Sequence, residues 1–385
     1  MKKSMLVAAL VFAVASSGVM AGWHQDSKDD ATYYYNTKVG QDCFTIYKVN
    51  NGYRVYITFQ GVGYQEFKDS IVKVNSGARQ NPSDSELSDG QAMTSVTLTH
   101  ASMFDANGNI KFEVYLADRF ASRNPKLSVV VMPPPGKANG NSPNVSVTSA
   151  NCNMSGVKVV YSKRGVSSSG SQLPPAGTVS VTTGTADLRG SVGAIDILGG
   201  LFGDCKIRGN CGKLIAKTRK CVIRPGGAKQ KVFQGGSLGD SQIFVGGQIG
   251  TISARNGLIG SGGKDAKKRI VSGFVDSANP KSYSTSADIG KIIVKRGWDK
   301  PCVIAGSESA INLENTDPTF CNGVIKLFRV NNKGDGACSG QTGGYFTSKS
   351  APRVKGKMKS AVSGNTIYVM YGPIMGKSDL SAFVK

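Results

Sequence analysis

Histidine is almost missing: His24 and His100 are the only two in 385 residues. Both precede residue 201, which excludes a Ser-His-Asp triad assembled within the second half of the chain. No pair of the eight cysteines has the CxxC spacing. Structural zinc sites usually carry such close ligand pairs, so no metal is expected. No long stretch has a helical period of apolar residues, and no apolar run after the first 21 residues is long enough to cross a membrane as a helix. Acidic residues are scarce in the second half. From residue 201 to the end, 29 Lys+Arg face 11 Asp+Glu, a net charge of +18.

Phosphate chemistry is also missing, despite a tempting stretch, GGQIGTISARNGLIGSGGKDAKKR (246–269). A P-loop needs glycine five residues before Gly263 and a hydroxyl after Lys264. Leu258 and Asp265 stand there instead. GGSLGDSQI (235–243) approaches a calcium nonapeptide, but Leu238 replaces a required glycine and the motif occurs once. FDANGNIKF (104–112) alternates Asp105, Asn107 and Asn109 without the closing glutamate of a calcium loop. No cofactor is expected.

What is present begins with a leader-like start. Lys2 and Lys3 precede an apolar run, and Val19-Met20-Ala21 fits a processing site, so residues 1–21 are read as a signal peptide. The expectation is a secreted or cell-surface protein. In that setting an even number of cysteines favours disulfides, with Cys43, Cys152, Cys205, Cys211, Cys221, Cys302, Cys321 and Cys338 as candidates. Cys43 with Cys152 is one pairing among many. Cys211 also fits simple burial.

Residues 22–161 alternate apolar and polar side chains in short runs. CFTIYKV and YRVYITF flank Asn50-Asn51-Gly52, a hairpin signal. Further strands are expected at 94–98, 110–116, 127–132, 145–148 and 157–161. This pattern predicts a β-sandwich-like domain. Residues 162–178, rich in Ser, Gly and Pro, read as a linker.

Beyond residue 179 the texture changes. NCGKLIAKTR (210–219), QIGTISARNG (248–257) and DIGKIIVKRG (288–297) share one pattern: apolar or Cys, Gly, any residue, Ile/Leu, any residue, Ala/Val, then a basic residue. SVGAIDILGG (191–200) fits in part and NGVIKLFRV (322–330) more loosely. The residue before glycine is Val192, Cys211, Ile249 and Ile289, in steps of 19, 38 and 40. Read as one or two multiples of a 19–20-residue coil, with β-prone pieces at 231–233, 269–271 and 311–313 filling the skipped coils, the pattern predicts roughly eight stacked coils. Stacking would place Ile249, Ile252 and Ala254 in register with Cys211, Leu214 and Ala216.

This recurrence resembles the parallel β-helix, or β-solenoid, repeat proteins of bacterial surfaces and secretions, over roughly residues 179–345. The resemblance implies a shape more than an activity, since that architecture includes adhesins, passenger segments and enzymes on polysaccharide. The expected fold is therefore all-β: a β-sandwich-like N-terminal domain, then a parallel β-solenoid, then a β cap over residues 346–385.

The outward positions of the repeat are often basic: Lys213, Lys217, Arg219, Arg255, Lys291, Lys295 and Arg296. KDAKKR adds Lys264, Lys267, Lys268 and Arg269 as a loop. A cationic field of this kind attracts polyanions. The expected role is a structural or adhesive protein binding an anionic polysaccharide or another polyanion, with self-association or a surface partner as further expectations. The alternative is a β-helix enzyme on acidic polysaccharide: a hydrolase with a carboxylate pair drawn from Asp276, Asp288, Asp299, Glu308, Glu314 and Asp317, or a lyase using Lys or Arg as base and charge clamp. Few aromatics are interleaved with the charges, which argues against a dedicated nucleic-acid platform.

Overall fold

The structure is a computed structural model of the 385-residue chain. It describes residues 23–28, 31–36, 43–50, 53–61, 109–114, 124, 126–133, 142–149, 152–161, 173, 175–184, 190–259, 268–273, 287–295, 298–299, 301–306, 323–330, 344–348, 352–355 and 367–370. The described residues are almost all β.

Four strands open the chain: β1 (Trp23–Lys28), β2 (Ala31–Asn36), β3 (Cys43–Asn50) and β4 (Tyr53–Gln60). They pair antiparallel in chain order. The expected hairpin is present, with Asn50 paired to Tyr53. In β4, Tyr53, Val55, Ile57 and Phe59 are buried and the residues between them are not, as alternation dictates for a half-buried strand.

From there the chain winds. Next come β5 (Ile110–Val114), β6 (Lys126–Met132), β7 (Val145–Ser149), β8 (Asn153–Val160), β9 (Thr178–Thr183), β10 (Ile195–Leu198), β11 (Leu201–Ile207) and β12 (Cys211–Ile223). The even-numbered strands join one sheet and the odd-numbered ones a second. β6 pairs β4 antiparallel and β8 parallel, so the opening meander runs straight into the first sheet. β5, β7 and β9 pair in parallel within the second. The sandwich expected over 22–161 is therefore not shown. The strands at 110–114, 126–132, 145–149 and 153–160 lie in the same two parallel ladders as the later repeats.

The alternation continues. β15 (Ile243–Val245), β18 (Ile270–Ser272), β21 (Cys302–Ala305), β23 (Gly344–Thr347) and β25 (Ile367–Met370) extend the second sheet. β16 (Ile249–Ala254), β19 (Ile289–Val294), β22 (Ile325–Val330) and β24 (Arg353–Lys355) extend the first. Short strands β14 (Ser237–Leu238), β17 (Gly257–Ile259) and β20 (Trp298–Asp299) form a third parallel sheet.

The stacking register matches the repeat. Val192 bridges to Cys211, which pairs with Ile249, which pairs with Ile289 and then Ile325. Leu214, Ile252 and Ile292 form the next inward column, and Ala216, Ala254 and Val294 the third. All of these side chains are buried. A single coil exposes one side of each such residue, and only its neighbours remove that surface from water.

The coil count differs from the expectation. Cys211 pairs with Ile249 directly, so a step of 38 residues is one coil, as is the step of 19. Between residues 179 and 345 the parallel ladder of the first sheet has five described strands, β10, β12, β16, β19 and β22. The residues once assigned to skipped coils lie elsewhere. Lys231-Val232-Phe233 belong to β13 (Gln230–Gly235), which folds back antiparallel on β12. Ile270 and Val271 belong to β18, and 311–313 lie outside the described residues. The three coils between Cys211 and Ile325 each carry a third-sheet strand, which the 19-residue coil lacks.

Polar side chains tie one coil to the next at the corners. Asn153 Oδ1 accepts from the Ser191 amide at 2.8 Å, Ser191 Oγ from the Asn210 amide at 3.0 Å, and Asn210 Oδ1 from the Gln248 amide at 2.8 Å. Buried hydroxyls do similar work at the end of the second sheet: Ser149 donates to Cys152 O, Thr183 to Gly190 O and Ser272 to Ala287 O. Backbone groups leaving a strand need such partners once water is excluded.

The cysteines correct the disulfide expectation. Cys152, Cys205, Cys211, Cys221 and Cys302 are buried free thiols. Cys205 stacks between Val181 and Ile243, and Cys211 between Val192 and Ile249, so both serve as small apolar column residues. The Cys43–Cys152 pairing is excluded by the free Cys152, whose sulfur lies 2.9 Å from Ser149 Oγ. Cys321 and Cys338 lie outside the described residues. Burial pushes the Cys205, Cys211 and Cys302 thiols up to about 12.

Two outcomes follow. Alkylation of the native protein at pH 8 should leave these five thiols unmodified, and unfolding should expose all five to it. Peptide mapping checks this, and native labelling or a bridge at any of them would contradict the assignment. The raised thiols also set a sign for pH. Their stabilising effect is complete below the ordinary thiol value near 9 and is lost as pH rises from there toward about 12, because the unfolded chain ionises first. Melting temperature should fall above pH 9, and less steeply in a Cys205→Ala variant.

Candidate polyanion-binding face

The outer surface of the first sheet is set by the same register as the core. Where Leu214 and Ala216 point inward, Lys213, Ile215 and Lys217 must point outward. Lys213 pairs across to Thr251 and Thr251 to Lys291, which puts two lysines two coils apart, roughly 10 Å at ordinary strand spacing. In the adjacent outward column Ser253 pairs with Ile293 and Ile293 with Arg329. Arg255 and Lys295 follow Ala254 and Val294, and each donates its amide to the coil before it. They extend the column begun by Lys217.

Lys213, Arg255, Lys291 and Arg329 are exposed on this face. None of them forms an ion pair among the described residues. The carboxylates here are engaged: Lys217 Nζ meets Asp196 Oδ2 at 2.5 Å, and Lys326 Nζ meets Asp288 Oδ2 at 2.8 Å. Both pairs join adjacent coils, and both lysines remain substantially exposed.

A glycine column runs beside the lysines. A Cβ on Gly212 would lie 2.3 Å from Gly193 O, one on Gly250 2.5 Å from Gly212 O, and one on Gly290 2.6 Å from Gly250 O. The requirement is space for a neighbouring backbone. These glycines sit between two inward residues, Cys211 and Leu214 in β12, where the strand shifts phase. Lys213 follows that shift and is brought outward by it.

The remaining expected site residues divide. Arg219 is only 2 % exposed. Its Nε donates to Gln234 Oε1 at 2.8 Å, its Nη2 donates to Ser142 Oγ at 3.1 Å, and its guanidinium lies 5.9 Å from the Tyr161 ring centroid. It clamps the base of the β12–β13 hairpin and does not face solvent. Arg269 belongs to the second sheet's side, where it is half-buried over Phe244 at 5.8 Å, and burial lowers its pKa. Lys268 pairs with Asp240 at 2.8 Å on that side. Lys264, Lys267 and Arg296 lie outside the described residues.

Sequence reading missed Arg329 and Arg353. Arg329 occupies the last repeat copy, NGVIKLFRV, whose looser fit hid its equivalence with Ser253 and Ile293. Arg353 follows Leu327 in the Lys213 column. Of the carboxylates considered for catalysis, Asp288 is held by Lys326. Asp276, Glu308, Glu314 and Asp317 lie outside the described residues, as does the side chain of Asp299. Among the described residues no cluster of three or more His, Cys, Asp or Glu is placed to hold a metal.

Compared with known proteins, the chain matches no family model, no curated protein and no solved structure.

Proposed function

We propose that the protein is an exported, surface-associated structural or adhesive protein whose basic sheet face binds a linear anionic polymer, an acidic polysaccharide above all. One observation carries the reading. Lys213, Arg255, Lys291 and Arg329 come from four successive strands of one sheet and share its outer face, while the two described carboxylates of that face are neutralised by other lysines. An extended polyanion crossing the strands would meet a new cation every coil or two. Flat regular spacing suits a repeating polymer better than a compact ligand, which binds in a concave pocket. The leader-like residues 1–21 support export.

The test is a binding panel: heparin and polygalacturonate against neutral dextran, each monitored in parallel for chain cleavage. Binding to the acidic polymers without cleavage is the expected result. Cleavage would favour the lyase or hydrolase alternative, and equal binding to dextran would overturn the electrostatic reading.

A further inference from the structure

The longest strand, β12, outruns the sheet. Its residues up to Ala216 pair with β16, and those from Thr218 to Ile223 pair antiparallel with β13 instead. The result is a hairpin that leaves the coil stack. Its tip is Pro225-Gly226-Gly227, where both glycines have positive φ, 58° and 85°. A Cβ on either glycine would meet nothing within 4 Å, so the tip stands in open space.

The two faces differ. Arg219, Cys221 and Ile223 are buried, and Arg219 binds Gln234 across the base. The opposite face pairs Lys220 with Phe233 and Val222 with Lys231. Phe233 is 50 % exposed, one of two large apolar side chains exposed among the described residues. Lys220, Lys231 and, near the tip, Arg224 and Lys229 are all exposed. Residues 218–235 contain no Asp or Glu.

We infer that the β12–β13 hairpin docks on an anionic lipid surface. The inference goes beyond the polymer reading and does not depend on it. An outer face carrying Lys220, Lys231 and Phe233, with Arg224 and Lys229 beside a convex tip, matches a broad, negatively charged interface with an apolar layer beneath it. Juxtamembrane cations are attracted by anionic headgroups, and Phe233 gains by leaving water as the cations settle. A linear polymer would instead favour a groove or a flat face. The anchored base keeps the outer face turned away from the stack.

The experiment is co-sedimentation of the protein with vesicles of phosphatidylcholine alone and with added phosphatidylglycerol. Binding should require the anionic lipid. Replacing Lys220, Arg224, Lys229 and Lys231 together by Gln should weaken it at least tenfold. Phe233→Ser should weaken it several-fold and leave heparin binding unchanged. Each altered side chain is exposed, and an unchanged melting temperature confirms folding. If the charge variant failed to fold, the Phe233→Ser result would decide alone. Unchanged vesicle binding in Phe233→Ser overturns the proposal. So does a charge variant that loses heparin and keeps vesicles, which would make the hairpin a polymer contact. The Lys213, Arg255, Lys291 and Arg329 face is intact in both variants, so failure here leaves the polymer reading standing.

Discussion

Gly250→Val should destabilise the protein by roughly 3 kcal/mol or more, at the upper end of the cost of forcing atoms into a packed site. The side chain would begin 2.5 Å from Gly212 O. That oxygen belongs to the backbone of a strand paired in parallel with its own, so it cannot rotate aside. Moving it would disturb Gly212, which is itself packed so closely on the coil before it that a Cβ added there would lie 2.3 Å from Gly193 O. The strain therefore spreads along the column of coils. Thr251→Val is the control, because Thr251 is the next residue on the outer side and its register neighbours are Lys213 and Lys291. It should change stability by no more than about 0.5 kcal/mol. Denaturant unfolding of the two variants reads the difference. A Gly250→Val protein as stable as the control would mean that the coils are not stacked in this register.

The inward columns were legible because every coil repeats the same demand. Val192, Cys211, Ile249 and Ile289 can be aligned by eye, and they pair directly. The coil length was not legible. Spacing counts residues, whereas stacking counts turns. The insertions that lengthen a coil from 19 to about 40 residues fall at corners and in the β12–β13 hairpin, where no neighbour in register constrains them. Arg219 was misplaced for a related reason. Lys217 and Thr218 both follow Ala216 without burial, and the strand then resumes inward pointing at Arg219, Cys221 and Ile223. A strict alternation from Ala216 would have put Arg219 outside. What holds it inside is Tyr161, whose buried hydroxyl donates to Pro143 O at 2.7 Å, together with Gln234 and Ser142. Those partners lie 15 to 77 residues away in sequence. The N-terminal strands were found with the right alternation, yet alternation is equally served by a sandwich and by a continuing sheet. Only the pairing of β4 with β6 and of β6 with β8 separates the two.

Replacing Lys213, Arg255, Lys291 and Arg329 together by Gln should weaken heparin binding by at least tenfold at low salt. Single replacements should act weakly, because each charge is exposed and screened, and a polymer can shift to its neighbours. The four together remove most of the exposed cations of the face and leave Lys217 and Lys326, both already opposed by aspartates, with Lys295 and Arg353. Stability should be nearly unchanged, since none of the four is buried. A control in which Lys268, paired with Asp240 on the other sheet's side, is replaced by Gln should bind like the wild type.

The most direct measurement is the slope of log affinity for heparin against log salt concentration, in the wild type and in the four-residue variant. Polyelectrolyte binding falls with salt in proportion to the counterions released. The account predicts a steep negative slope for the wild type that becomes shallower in the variant, by up to about 0.7 per cation removed if the polymer behaves as a single-stranded polyanion. Equal slopes for the two proteins would contradict it, because the basic sheet face would then not be where the polymer lies.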